Sequence, residues 1–468
     1  MTLRKFVDHS IPSKVDIFLL SLLIFVACIS ISPIRSPNER SHFAVTLSMI
    51  EYGTLHITHY NPINLPSFAY VDISFYGGKY YSALAPGISF LSIPFYVIAR
   101  IFFEPASGLP IMQAVVTLTS AVFAASSVVI VYEFSRLLGA KRWAATLSCI
   151  AYAFGTPLWN YAETLFAHAT SVFLIALGYY LIIRVADSQG MKLNWLILSG
   201  LVLGFAGFVE YPNLLLLAPA FLYLLDRLPR VSNSIFFGAS AAMGAFPIFI
   251  YNYLCFDSPL AFPFRYFIGY PLATYYRIFD NPLYVGLEGL LFSPFRGLFY
   301  HAPILLLSLL GFAIIYRQQK YKAILLASSF LLPLIFYSSF QGWQGGLCYG
   351  PRYLVGITPL LIPPLALTID RYGKSRAFVV VSLIFFSYSI LTSASAALTK
   401  YWIPYGYEKF AFLDYGLPLL LLGKFDCWIL NSPYYVYPIV LVSIVYIALR
   451  LHSHIGDYIG RLRAYFTD

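Results

Sequence analysis

Long apolar runs separated by short polar ones fill most of the chain, and the runs have the length of a bilayer-crossing helix rather than of a strand. Taken as spans, the runs at 15–31, 113–137, 143–158, 166–184, 195–209, 212–226, 234–254, 302–316, 323–339, 353–369, 377–396 and 433–450 predict an all-α polytopic protein of about 12 transmembrane helices. A further run, 86–103, also looks long enough to cross. Counting it as a span, however, puts the basic cluster Arg136, Lys141 and Arg142 on the opposite side from every later cluster. The expectation is therefore that 86–103 lies along or dips into the outer leaflet. Most lysines and arginines then fall in short inner loops, and both termini are cytoplasmic. The first run follows Arg4, Lys5 and Lys14 and lacks a small-x-small cleavage site, so it reads as an uncleaved signal anchor.

On this register one face carries all the large polar segments: the first outer loop at 33–103, then 254–301, 339–352 and 397–433. The whole chain, 1–468, reads as a single membrane-embedded domain with its working region in the first outer loop. No internal repeat divides it into the duplicated halves usual in carriers, and charges gather at span ends instead of mid-membrane. An enzyme using the outer face fits this layout better than a carrier does. Composition agrees with the class: 59% of residues are hydrophobic, 11% are charged and the mean hydropathy is +0.74. The net charge of +10 comes in small groups between apolar runs, so it speaks for topology and against nucleic acid as a partner. The five cysteines show neither CxxC nor metal-ligand spacing.

The most polar stretch is 33–87, with Arg35, Glu39, Arg40, His42, Glu51, Asp72 and Lys79. Glu39, just beyond the first run, would stand at the outer membrane surface. There a carboxylate can take a proton from an acceptor hydroxyl or amide while a lipid-borne donor lies beside it, or it can simply pair with Arg35 or Arg40. Residues 41–52 have helix-like spacing with a ragged apolar face, which suits a helix lying at the interface. The segment Y-G-G-K-Y-Y-S-A-L-A-P-G at 76–87 combines a Gly-Gly turn, a helix-starting Pro86 and Lys79, a mobile point charge for a phosphate or a snorkelling lysine. Arg296 and Arg352 stand in Gly- and Pro-rich outer segments where a guanidinium fork could hold a lipid phosphate, Arg352 more so because Gly345, Gly346, Gly350 and Pro351 shape the backbone around it. Trp343, Tyr349 and Tyr353 are available to stack on a sugar or to sit in an aromatic belt. Glu210, in V-E-Y-P, falls at the outer tip between two short runs, and Asp257 reads as an Asx turn before Pro259.

The sequence of a first span, an acidic opening to an outer loop, a Pro-initiated interfacial helix and a polytopic bundle resembles the GT-C superfamily of membrane glycosyltransferases. The closest type is the protein O-mannosyltransferase and aminoarabinose-transferase group, glycosyltransferase family 39. The resemblance rests on N-E-R at 38–40, A-P-G at 85–87, R-L-L-G-A-K-R at 136–142 before T-P-L-W-N-Y, G-L-L-F-S-P-F-R-G-L at 289–298 and W-Q-G-G-L-C-Y-G-P-R-Y at 343–353. Two departures stand out: Glu39 replaces the usual aspartate, and Leu84 stands where that group has a lysine or histidine.

The resemblance implies a transferase moving a sugar from a polyprenyl-phosphate donor to a protein, lipid or glycan acceptor on the outer face of the plasma membrane. In that scheme Glu39 is the base, and Glu163 and His168 in Y-A-E-T-L-F-A-H are a possible second acid or base. Lys79, Arg296 and Arg352 hold the donor phosphate. Arg40, His42, Asp72, Tyr81, Trp343 and Tyr353 line the substrate. No cofactor is needed, although a divalent metal held by Glu39 with Glu163 or His168 is the chemical alternative. A transporter of lipid-linked glycan and a surface-glycan ligase or polymerase are the competing functions.

Overall fold

Prolines and small residues decide where the apolar runs break and how closely they pack. The computed structural model describes residues 21, 34, 36–60, 72–188, 192–228, 230–268, 278–346, 348–401 and 409–426. Helix α1 (Pro37–Glu51) comes first and leads to an antiparallel hairpin of β1 (Ile73–Tyr76) and β2 (Lys79–Ser82), with Ile73 opposite Ser82 and Tyr76 opposite Lys79. Gly77 and Gly78 close the hairpin with φ of 56° and 77°, the left-handed pair that matches strand twist. A short helix, Gly87–Leu91, and α2 (Ile93–Phe102) follow. The bundle is then built by α3 (Pro105–Leu137), α4 (Arg142–Phe154), α5 (Ala167–Ala186), α6 (Leu193–Val209), α7 (Leu217–Arg227), α8 (Val231–Phe256), α9 (Ser308–Gln318), α10 (Lys320–Ser339), α11 (Ile362–Tyr372) and α12 (Arg376–Thr399).

The expected twelve spans are not what the chain forms. Among the described residues five helices are long and apolar enough to cross a membrane: Leu109–Leu137 in α3, then α5, α8, α10 and α12. The runs at 15–31 and 433–450 lie essentially outside the described residues. The others are too short or are interrupted. The run at 143–158 becomes the 13-residue α4, and that at 195–209 becomes the 17-residue α6, which rises only roughly 26 Å against a hydrocarbon core of about 30 Å. The runs at 212–226, 302–316 and 353–369 each break into 3₁₀ turns and 11-residue helices, with the turns Tyr211–Leu216, Pro303–Leu307 and Thr358–Leu361 carrying Pro212, Pro303 and Pro359 at their starts. Proline removes a backbone donor and its ring clashes with the preceding turn, so an apolar count can be long where the helix is not. Among the described residues the fold is otherwise helical apart from one hairpin.

The stretch 86–103 divides at Ser92 into Gly87–Leu91 and α2, neither long enough to span. Helix α1 departs from the expected interfacial helix in another way: 41–48 are buried on every side. Its small polar residues make this possible. Ser41 Oγ donates to the Asp72 carbonyl and to Ser82 Oγ, and Thr46 shares hydrogen bonds with His42 O, Ser89 O and Ser92 Oγ.

Helices α6 and α8 approach closely enough that a Cβ on Gly204 would fall 2.0 Å from the Ala241 carbonyl oxygen, and one on Gly244 2.2 Å from that of Leu201. Small residues on facing surfaces let backbones meet where lipid supplies no hydrophobic drive to association. The two ends of the bundle differ in charge. Arg136, Arg184, Lys192, Lys322 and Arg376 stand at one end, where Lys322 pairs with Asp187 at 2.5 Å and Lys141 with Asp370 at 3.1 Å. At the other end lie the start of α1, the start of α5, and the ends of α6, α10 and α12.

Candidate active site

Glu39 stands at the third position of α1, where Ser36 caps the helix. The Glu39 N–H donates to Ser36 Oγ at 3.2 Å, while Glu39 Oε2 accepts from the Ser36 N–H at 3.2 Å and from Ser36 Oγ at 2.8 Å. Its other oxygen, Oε1, accepts the Leu165 N–H at 3.1 Å. Glu39 is buried, and its carboxylate joins the start of α1 to the turn that leads into α5.

Three residues past Leu165, His168 opens α5. Its Nδ1 lies 3.2 Å from Glu210 Oε2, and Ser171, one turn on, donates to the same oxygen at 3.2 Å. Tyr337, at the end of α10, donates to Glu210 Oε1 at 3.3 Å, and Asn213 holds Ser171 from behind at 2.9 Å. Burial works to raise the Glu210 carboxyl, but the His168 imidazole, its hydrogen bond, Ser171 and the Arg352 charge outweigh it, so the group sits below the usual carboxylate range. His42 is buried beside this pair with Nδ1 3.3 Å from Ser89 Oγ. Burial, reinforced by His168 and opposed by Glu210, pulls its pKa down to about 3, so His42 stays neutral. Asp72, hydrogen-bonded by Asn38 and facing the Arg352 charge, is nevertheless shifted upward, because burial dominates.

Two cations complete the site. Arg352 lies 4.8 Å from the Tyr353 ring centre and 5.9 Å from that of Phe166, and its Nη2 donates to the Tyr353 hydroxyl at 3.1 Å. Tyr353 in turn stacks on Tyr337 at 4.5 Å. Arg296 is fully buried, stands 3.9 Å from the Phe295 ring centre and donates through Nη2 to the Gly346 carbonyl. Buried Nε and Nη1 of Arg296, and buried Nε of Arg352, have no acceptor among the described residues. The loop between them has φ of 74° at Gly345, 73° at Gly346 and 56° at Gly350, and a Cβ on Gly345 would come 2.9 Å from Arg352 Nε. Both guanidinium groups act electrostatically on the Tyr161 hydroxyl, which itself donates to the Tyr349 carbonyl at 2.7 Å.

The tertiary structure therefore gathers Glu39, His42, Asp72, His168, Arg296, Arg352 and Tyr353 at one end of the bundle. Glu163 is there too, buried in an ion pair with Lys400 at the end of α12. Other candidates fall elsewhere. Lys79 is exposed on the hairpin near His56, and Tyr81 packs against Phe256 at 5.1 Å in the cluster around 251–266. Trp343 is buried against Gly289, and Arg40 is half-buried on α1. Asp257 adopts φ of 55° at the end of α8.

Nothing in the sequence marks Lys400 or Tyr337 as site residues: Lys400 stands just after a long apolar run, whereas Tyr337 is one of 39 tyrosines with nothing local to distinguish it. Among the described residues no three His, Cys, Asp or Glu side chains come together as a metal-holding group. Glu39 is engaged by Ser36 and Leu165, Glu163 by Lys400 and His168 by Glu210.

Residues 95–253 match the family model for dolichyl-phosphate-mannose-protein mannosyltransferase. No curated protein matches the chain by sequence. Two solved structures of ArnT from Cupriavidus metallidurans share its fold. The form bound to undecaprenyl phosphate has a TM-score of 0.51 at 15% identity over 85% of this chain and 67% of ArnT. The apo form has a TM-score of 0.50 at 14% identity over 85% of this chain and 66% of ArnT. The chain thus spans about two thirds of the length of the ArnT chains it resembles. A mannosyltransferase-type model thus matches the stretch from α2 to α8, and the chain shares the fold of ArnT over 85% of its length.

Proposed function

We propose that this protein is a glycosyltransferase that takes its sugar from a polyprenyl-phosphate donor and passes it to a protein, lipid or glycan acceptor at the outer face of the plasma membrane. The observation that carries the reading is the fully buried Arg296 and, beside it, the partly buried Arg352, each with buried N–H groups that have no acceptor among the described residues. A buried cation with idle donors is costly unless an anion enters, and a phosphate offers oxygens for several charge-assisted hydrogen bonds at once. The two arginines hold the donor phosphate and stabilise it as it leaves with the bonding electrons of the sugar carbon. The acceptor enters from the side of Glu39, Asp72 and Glu210, and its proton passes to that side. Lys79, exposed on the hairpin, meets lipid headgroups at the rim rather than the donor phosphate.

Charge supports the outer position. The end opposite the site carries Arg136, Arg184, Lys192 and Arg376, and a basic end marks the cytoplasmic side. The first outer loop, the start of α5, the end of α6, 254–301, 339–352 and the start of 397–433 supply the site residues from that face. The test uses purified full-length protein in lipid nanodiscs with radiolabelled polyprenyl-phosphate mannose, glucose and aminoarabinose, and an envelope extract as acceptor. Label moving to the extract with release of polyprenyl phosphate supports the reading. Failure of all three donors to transfer, or passage of intact labelled donor across the bilayer, overturns it.

A further inference from the structure

The geometry points to His168, held by Glu210, as the group that takes the acceptor's proton; this deepens the proposed transfer and rests on it. A carboxylate can only accept hydrogen bonds, so the 3.2 Å contact fixes the proton of the imidazole on Nδ1, pointing at Glu210 Oε2. The lone pair of the neutral ring is then on Nε2, which makes no hydrogen bond to any described residue. Glu210 is fixed at Oε1 by Tyr337 and at Oε2 by Ser171 as well as His168, so the dyad is braced by α5, α6 and α10. Glu39 is differently placed. Both of its oxygens accept hydrogen bonds from the chain itself, and its evident work is to hold the turn that carries His168.

Position brings the imidazole to the donor. The Phe166 ring has His168 stacked against it at 5.7 Å and the Arg352 guanidinium at 5.9 Å, so the imidazole and the cation share one aromatic neighbour. Tyr161 meets the imidazole edge-on at 5.2 Å and lies within reach of both arginine charges. The charged and titratable groups facing His168 are Glu210 from the end of α6, His42 from α1, Tyr161 from 158–162, Tyr337 from α10 and, through Glu210, Arg352.

In the step, the acceptor oxygen forms a bond to the anomeric carbon as the bond from that carbon to the phosphate oxygen breaks. The electron pair leaves on the phosphate between Arg296 and Arg352, and the acceptor proton moves to His168 Nε2. Glu210 stays ionised and neutralises the imidazolium until water removes the proton. His168 is the catalytic residue and Glu210 a positioning residue.

The test compares full-length His168→Gln, His168→Ala, Glu210→Gln and Glu39→Gln in nanodiscs, with the three polyprenyl-phosphate sugars above for turnover and polyprenyl phosphate for binding. His168→Gln is expected to lower kcat by about 100-fold or more while polyprenyl phosphate affinity stays within about threefold. Added imidazole should restore part of the activity of His168→Ala, because the slot between Phe166 and Tyr161 fits the free ring, and should do nothing for Glu39→Gln. Glu210→Gln should lower kcat with little change in KM. Wild-type kcat in His168→Gln overturns the assignment. So does a Glu39→Gln variant that binds polyprenyl phosphate normally yet loses as much kcat as His168→Gln, as does His168→Ala that is folded, binds and is not rescued. If the wild type itself turns over none of the three sugars, it is the donor class that fails. Imidazole rescue with any turned-over donor separates the two results.

Discussion

Replacing Arg296 with methionine separates a binding cation from a structural one. The side chain is fully buried, its Nη2 donates to the Gly346 carbonyl, and its Nε and Nη1 have no acceptor among the described residues. If those two groups meet a phosphate, each charge-assisted hydrogen bond is worth about 1.5–3 kcal/mol, so their loss costs at least about 3 kcal/mol of binding, roughly 100-fold or more in Kd. Methionine keeps an unbranched apolar stem against Phe295, and without ligand the variant is relieved of an unmatched buried charge. Its own stability should therefore change by less than about 2 kcal/mol.

The assay is thermal unfolding of the full-length protein in detergent, with and without polyprenyl phosphate. At 100 times the wild-type Kd the ligand stabilises the wild type by about 2.7 kcal/mol, whereas a variant weakened about 150-fold gains only about 0.3 kcal/mol. Two results refute the reasoning. One is a variant that keeps the full ligand-induced shift. The other is a ligand-free variant destabilised by about 3–5 kcal/mol, which is what removing one partner of a satisfied buried pair costs.

Three further outcomes can be checked. Lys400→Met strips Glu163 of its ion-pair partner in a buried place and should destabilise by about 3–5 kcal/mol, and adding Glu163→Gln should recover much of that by urea or thermal unfolding. Gly204→Leu drives a side chain into the Ala241 carbonyl and should cost about 1–3 kcal/mol or more, measured as a lower melting temperature. His42 is held near 3 when folded and titrates near 6.5 when unfolded, so the unfolded chain binds the extra proton between those values. Stability contributed there is full above about pH 6.5 and falls as the pH drops toward 3, and His42→Asn should flatten the slope of melting temperature against pH.

The chain shows how far hydropathy carries a reading and where it stops. A window of apolar residues reports whether a segment avoids water, which was enough for the membrane class and for the separation of a basic end from a polar end. It does not report where the backbone leaves the α-helix. The run at 302–316 is apolar throughout, yet Pro303 starts a 3₁₀ turn and the regular helix is only α9, so the segment counts as a span by composition and not by geometry. Helix α1 is the converse case. Its ragged pattern suggested a surface, but serines and threonines that satisfy one another let it be buried on all sides.

By itself, the sequence determined the residue types available for chemistry and their place at the polar end: a carboxylate at 39, an imidazole at 168, guanidinium groups at 296 and 352, and the glycines that bend the chain around the last of these. Only the tertiary structure decided their partners. Glu210 meets His168 across 42 positions and Tyr337 across 127, and Lys400 reaches Glu163 across 237. The reason is physical. A charged or polar side chain declares locally that it must be satisfied, but which group satisfies it depends on the helix ends that packing brings together, and no local pattern carries that information.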